Sequence, residues 1–476
     1  MENKYKKLGK NTFFMFLGKV GSSLVGVVML PFYTHWLSPV AYGTVDLINT
    51  YALILMGFVT CCIADSIFLF PKEADDKGKS RYFTSGLYFV FLSSCICAFF
   101  FFIWTYIAGL LNINDSFTNN VWSILALMLC LFLQNYTQQF TLSLDKVKVF
   151  SIAGVVLTFT TALFAIIFIP LWGLKGYLFS LILANLTTTL YTVVFSRSYK
   201  YIRFSNFDKG NLIEMLRYSI PLIPNGIMWW LVNGMNRPIM DKYLGVAAIG
   251  IFAVASKFPA ALSMLSTVFG TATGISLLEE FNKPNFSKFF NNYFRSFFFF
   301  LLVIGGLMAI FSEMIISIFA DSKYHDAWLL FPFLILGVIF QCASGLIGGV
   351  FMAEKKSKYF FYSSVWGGLA SLFFTFIFIK YFSLMGAALA VCASFFVMVV
   401  VRLKYAWKHI STFSIRYYVF MLSVFLMLSV SLIYTNNIFY RYLFSTFFFI
   451  VILYCNKKLL SETYYFLIRT IKTRFL

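Results

Sequence analysis

Charge is scarce in this chain: Asp, Glu, Lys and Arg together make 12% of its 476 residues, while 60% are hydrophobic. That balance excludes a soluble enzyme of ordinary composition and points to an integral membrane protein throughout. Acidic residues are the rarer sign, 18 against 38 basic, and histidine occurs three times. His35, His325 and His409 fall in loops or at the ends of apolar segments, so no catalytic base is indicated. Cysteine gives no metal site either. Cys61, Cys62, Cys95, Cys97, Cys130, Cys342, Cys392 and Cys455 all lie in apolar stretches with no His or Cys partner at ligand spacing, and read as small buried hydrophobes. Long polar stretches are missing too; the longest polar link runs from Ser196 to Leu216. No soluble domain is left to host chemistry, and no cofactor is implied.

What the chain has is long apolar runs with basic residues between them. A net charge of +20 suggests nucleic acid, but the basic residues come in short clusters such as Lys4, Lys6, Lys7 and Lys10, or Lys355, Lys356 and Lys358. Membrane topology and anionic lipid headgroups explain such clusters, so membrane lipids are expected partners and nucleic acid is not. The apolar runs read as about fourteen spanning helices, each long enough to cross about 30 Å of hydrocarbon. Six lie between Phe13 and Phe195, six between Tyr218 and Val401, and two follow near Tyr417 to Tyr434 and Ile438 to Tyr454. The charged start, Met1 to Lys10, resembles a signal peptide, but no small-residue cleavage site follows, and the next run reads as the first span. With the N-terminus in the cytoplasm, about 30 of the 38 Lys and Arg fall on the cytoplasmic side. Outer stretches hold Lys175, Arg237, Lys242, Lys323, Lys380 and Arg441. Both termini are therefore expected in the cytoplasm, and a miscounted helix would invert the bias downstream of the error.

The two sets of six are related. Pro31 to Gly43 overlays Pro238 to Gly250 without a gap, matching the prolines, Leu37 with Leu244, Ala41 with Ala248 and Gly43 with Gly250. Further on, Lys146 and Lys148 match Lys356 and Lys358, and Leu174 and Gly176 match Leu384 and Gly386. An even number of spans per repeat gives both halves one orientation, related by an axis along the membrane normal. The expected architecture is an all-α polytopic membrane protein: two six-helix bundles facing a central cavity, plus two C-terminal helices. The expected divisions are residues 1–215, 216–410 and 411–476.

Leu30 to Thr34, then Leu37, Ser38, Pro39, Tyr42, Gly43, Asp46 and Leu47, resemble the first-helix signature of Wzx-type polysaccharide (O-antigen) flippases. Leu216 to Asn225 resembles that family's matching segment at the start of the second half. The chain is thus similar to the polysaccharide branch of the multidrug/oligosaccharidyl-lipid/polysaccharide (MOP) exporter superfamily, over nearly its whole length. The resemblance implies a MATE/MOP-like fold in the bacterial inner membrane. It also implies transfer of an undecaprenyl-diphosphate-linked oligosaccharide from the cytoplasmic to the periplasmic leaflet, with a polysaccharide polymerase and a chain-length regulator as further partners. Asn236 stands before Arg237 where the family often has Asp, which puts an ion pair there in doubt.

Ionisable groups inside spans are costly and usually face a cavity or a partner. Lys19, in the first span, either snorkels to the headgroups or faces the cavity. Lys257 lies eleven residues into the eighth span, about 16 Å at the usual rise, too deep to snorkel easily. It reads as cavity-lining or as one half of a buried ion pair, with Ala253, Ala260, Ala261 and Met264 around it. Asn225, Trp229, Asn233 and Asn236 form a polar stripe on the seventh span ending at Arg237, suited either to sugar hydroxyls with Trp229 stacking on a ring, or to interhelical hydrogen bonds. Gln134, Gln138 and Thr141 form a comparable face on the fourth span. Pro221 and Pro224 enter the seventh span and suit a hinge. Asp65 is a candidate for ion coupling or for pairing with Lys19, whereas Asp46 and Glu313 lie close enough to the outer surface to be hydrated. Lys19, Lys257 and Arg237 at successive depths form a cationic path for a diphosphate that loses water as it crosses. A drug or cation exporter of the same superfamily is the first rival, but it calls for an acidic site. A polytopic polymerase or ligase is the second, and it calls for a large outer loop that is missing.

Overall fold

A segment crossing hydrocarbon must satisfy its backbone N–H and C=O groups internally, which leaves the helix as the economical solution for apolar runs of this length. The computed structural model describes residues 25–435, 437–457 and 459–461. Within them the chain is helical, with no strand; Lys19 and the C-terminal tail lie outside the described residues. The helices run α1 Leu30–Trp36, α2 Pro39–Val59, α3 Ile63–Glu73, α4 Asp76–Leu110, α5 Ser116–Ser143, α6 Val147–Trp172, α7 Leu174–Ser196 and α8 Lys209–Ser219. They continue with α9 Ile223–Asn233, α10 Asn236–Leu244, α11 Val246–Glu280, α12 Phe286–Ile310, α13 Ser312–Phe319, α14 Phe331–Ala353, α15 Ser357–Ala406, α16 Ile415–Tyr434 and α17 Ile438–Cys455.

Among the described residues, eleven helices are long and apolar enough to span. The difference from the expected fourteen arises at three places. The first span lies largely outside the described residues. The seventh is divided between α9 and α10, each too short to cross alone. The eleventh and twelfth are joined in α15, which turns back at Ser383 (φ 51°, ψ −131°).

The chain clusters into two compact units, Met1–Val254 with Phe319–Tyr324, and Ala255–Ile318 with His325–Leu476. In the first, Phe83 stacks on Phe140 at 4.2 Å and on Tyr136 at 5.3 Å. The Tyr136 hydroxyl donates to the Phe83 carbonyl at 3.0 Å. The link after α7 is held to α4 by the Ser80 and Thr84 hydroxyls, which donate to the Tyr201 carbonyl at 2.8 and 3.1 Å. In the second unit, α14 is the most buried helix, with Leu334, Ile335, Ile339 and Ile347 in the core. Phe294 and Phe298 of α12 meet Tyr418 of α16 edge-on at 5.1 and 5.3 Å.

The repeat is written in backbone geometry. Gly173 before α7 (φ 54°, ψ −124°) and Ser383 within α15 have nearly one conformation, just before the matched residues Leu174 and Leu384. The matched loops after α5 and α14 also turn alike: Asp145 and Lys355 are both left-handed, at φ 57° and 59°. The N–H of Lys146 closes on Thr141 O at 3.1 Å and that of Lys356 on Phe351 O at 2.9 Å. At the third matched place the two copies touch. A Cβ on Gly43 would stand 2.1 Å from Val246 O, and one on Gly250 would stand 2.1 Å from Pro39 O.

Candidate functional site

The seam of α2 with α9 and α10, within the first unit, gathers most of the polar residues singled out on the seventh span. Ser38 caps α2, accepting from Ala41 N at 3.2 Å, and Pro39 fills its first turn, where a missing N–H costs nothing. Asp46 and Thr50 then follow one turn apart. The indole N–H of Trp230 on α9 donates to the Thr50 carbonyl at 3.1 Å, locking the helices together. Gly234 makes room for that indole, since a Cβ there would lie 2.8 Å from Trp230 Nε1.

The helix stops at Asn233 and restarts at Asn236, which changes the expected stripe. Asn225, Trp229 and Asn233 remain on α9. Asn236, expected on the same polar face, is buried at 2% exposure. Its Oδ1 accepts from Arg237 Nη1 at 2.9 Å. Arg237 is not a free cation: its Nε donates to Asp46 Oδ2 at 3.1 Å, with the two side chains 16% and 23% exposed. Nη1 also donates to the Asn233 carbonyl, and the guanidinium lies 5.1 Å from the Phe252 ring. The ion pair that Asn236 put in doubt is therefore supplied from another helix, by an aspartate the sequence reading left hydrated.

Asn233 is exposed, its amide donating to Trp229 O at 2.8 Å. Asn225 Oδ1 is buried without a partner among the described residues. Pro221 lies in the 3-10 turn Ile220–Leu222 and Pro224 in the first turn of α9, both exposed. Gln134 is buried and Gln138 half-buried on α5, while the Thr141 hydroxyl turns back to Thr137 O at 2.8 Å. Asp65 is exposed in the first turn of α3, just after Cys61 and Cys62 break the span at φ 48° and 53°.

In the second unit, Lys257 is half-buried in α11 and makes no hydrogen bond or ion pair with the described residues. Pro259 follows two residues later within the same helix. A carboxylate partner, the alternative to a cavity-lining role, is thus not among the described residues. Glu313, like Asp46, is paired: Arg441 donates to it at 2.9 Å and lies over Trp328 at 5.1 Å. Arg402, which drew no notice in the sequence, is fully buried. Its Nε donates to Ser363 Oγ at 3.0 Å, Nη1 donates to Ser344 O at 2.6 Å, and the guanidinium lies 4.2 Å from the Phe360 ring. In the loop before α15, Glu354 is 9% exposed, with Lys356 at 2.7 Å and His409 at 3.2 Å. Burial works against its charge, yet hydrogen bonds from Lys356 and Lys408 and the neighbouring His409 hold its carboxyl down to about 2. Among the described residues, no group of three or more His, Cys, Asp or Glu can hold a metal ion.

Residues 8–275 match the family described as polysaccharide biosynthesis protein. No curated protein matches the chain in sequence. Among solved structures, the inward closed form of the lipid II flippase MurJ is similar at a TM-score of 0.69 and 13% identity, over 94% of this chain and 99% of that one. An inward-facing multidrug resistance MATE family transporter of the MOP superfamily is similar at 0.65 and 13% identity, over 84% and 94%. A MOP superfamily transporter from Pyrococcus furiosus with a binding pocket of reverse polarity reaches 0.52 at 14% identity, over 84% and 96%. At such identities the likeness establishes the fold alone, one shared with transporters and a flippase.

Proposed function

Since the chain belongs to the polysaccharide biosynthesis protein family, we propose that it is a flippase for a polyprenyl-diphosphate-linked oligosaccharide, working by alternating access in the bacterial inner membrane. The observation that carries this reading is Lys257, a mid-span cation unpaired among the described residues. Leaving a charge unneutralised at this depth is costly unless a ligand or water meets it. A diphosphate supplies that neutralisation, and the lysine in turn offsets the loss of phosphate hydration. Asn225, with a buried acceptor open, and exposed Asn233 beside Trp229 offer the alternation of hydrogen bonding and ring stacking that sugars use. The duplication supports alternating access, with the 3-10 turn at Pro221 and the start of α9 at Pro224 as the hinge. The polyprenyl tail stays in lipid, and a polymerase and chain-length regulator take the product on the outer side. Arg237 serves this reading as a paired, positioning cation, and Asp65 stays a candidate for ion coupling.

Polysaccharide export from cells carrying Lys257 variants tests it. Removing a charged partner of a desolvated phosphate costs about 2–5 kcal/mol, well over tenfold in occupancy. Lys257→Ala and Lys257→Glu should abolish export at normal protein levels, and Lys257→Arg should keep part of it. Full export by normally expressed Lys257→Ala would overturn the assignment.

A further inference from the structure

In the second unit, α12, α14, α15 and α16 leave a groove of about 330 Å³ between them. Its walls are apolar and aromatic, including Phe340, Phe396, Val400 and Val419, and its single charged lining residue is Lys404. Phe396, Val400 and Val419 are 47, 48 and 55% exposed, so the groove opens on the lipid-facing surface. Along α15 the lining residues Phe396, Val400 and Lys404 follow at helical spacing, with Trp407 in the 3-10 turn just after the helix. Lys404 thus stands about 12 Å from Phe396 at the usual rise, at the end where the helix meets the basic loop. It is exposed and makes no ion pair with the described residues. Trp407 beside it is 41% exposed, and an indole is a side chain that favours the headgroup level.

We propose that this groove is a binding site for one anionic phospholipid of the bilayer, its acyl chain along Phe396 and Val400 and its phosphate at Lys404. Within a bilayer the groove is filled by whatever apolar chain surrounds it, and bilayer phospholipids are in vast excess over any lipid-linked intermediate. An unneutralised lysine at the interfacial end selects among them by charge, worth about fivefold per cation near an anionic surface. The lining offers no set of polar groups to recognise a sugar. The inference rests on the membrane-spanning reading of these helices and is independent of what the protein transports.

The test is native mass spectrometry of the purified protein after incubation in mixed micelles with equimolar phosphatidylglycerol and phosphatidylcholine of identical chains. About fivefold more phosphatidylglycerol than phosphatidylcholine should stay bound. Lys404→Glu should bring the ratio to parity or below, Val400→Trp should lower retention of both lipids, and Lys457→Glu, an exposed cation off the groove, should change nothing. Lys404 and Val400 are both exposed, and a monodisperse elution profile identifies folded variants; Lys404→Gln replaces Lys404→Glu should that profile fail. Equal retention of the two lipids by the unaltered protein, or a preference unchanged on loss of the Lys404 charge, overturns the proposal. So does displacement of the bound phospholipid by an equimolar amount of undecaprenyl phosphate, which would make the groove a seat for the substrate tail.

Discussion

Three cations inside this protein meet the cost of a charge in hydrocarbon differently. Arg237 has a carboxylate, Asp46. Arg402 has a carbonyl, a hydroxyl and a ring face, a set that suits the planar, delocalised guanidinium and would not suit an ammonium. Lys257 has no partner among the described residues, which is why it and not Arg237 carries the functional proposal. The Arg237 pair is mostly buried, so removing one member leaves the other desolvated and unmatched. Asp46→Asn should therefore destabilise the protein by about 1.5–3 kcal/mol, the range for hydrogen bonds to charged groups, seen as a lower unfolding temperature in detergent. Arg237→Gln should cost a similar amount, and the double variant should lose clearly less than the sum. Additive losses, agreeing within about 0.5 kcal/mol, would show that the two groups are not coupled.

The turn that joins the last two helices of each repeat has one backbone shape, and glycine fills it once. Gly173 has the positive φ at no steric cost, whereas Ser383 holds φ 51° with a Cβ in place. A non-glycine residue in such a sparsely populated region costs about 1–3 kcal/mol. Gly173→Ser should accordingly lower stability, and Ser383→Gly should raise it, less the greater freedom glycine gains in the unfolded chain, about 0.5–1 kcal/mol. Thermal unfolding of the two variants should shift in opposite directions, and a fall in both would refute the equivalence of the turns. The sequence pointed to this correspondence through Leu174 with Leu384 and Gly176 with Gly386, because close helix approach restricts residue type. The breaks inside spans were less legible. Gly234 between two asparagines is a local signal that the long polar stripe overrode, and nothing in Cys61 or Cys62 announces a left-handed backbone. Pairings such as Asp46 with Arg237 depend on which distant helices become neighbours, and the residues of one helix do not encode that.

For the whole molecule, topology turns on the seventh span. Every other expected span in the described residues is a helix, or one arm of α15, long enough to cross by itself, but α9 and α10 are short and separated at Gly234 and Met235. Taken together they run from Ile223 to Leu244, about 33 Å at 1.5 Å per residue, enough for one crossing if the break only bends the path. The pairing of Arg237 with Asp46 and the Trp230 bond to Thr50 satisfy polar groups on both sides of the break, as an interrupted membrane helix requires. If α9 and α10 count as one span, the chain crosses the membrane an odd number of times between the loop at Asn112 and the loop at Lys355. Those loops must then lie on opposite faces, with the basic cluster Lys355, Lys356 and Lys358 in the cytoplasm. Alkaline phosphatase fused after Asn112 should be active and fused after Lys355 inactive, with a fluorescent protein that folds only in the cytoplasm reporting the reverse. Equal activity at the two sites would mean that α9 and α10 enter and leave on one side, which would remove the seventh span and the parallel orientation of the two repeats with it.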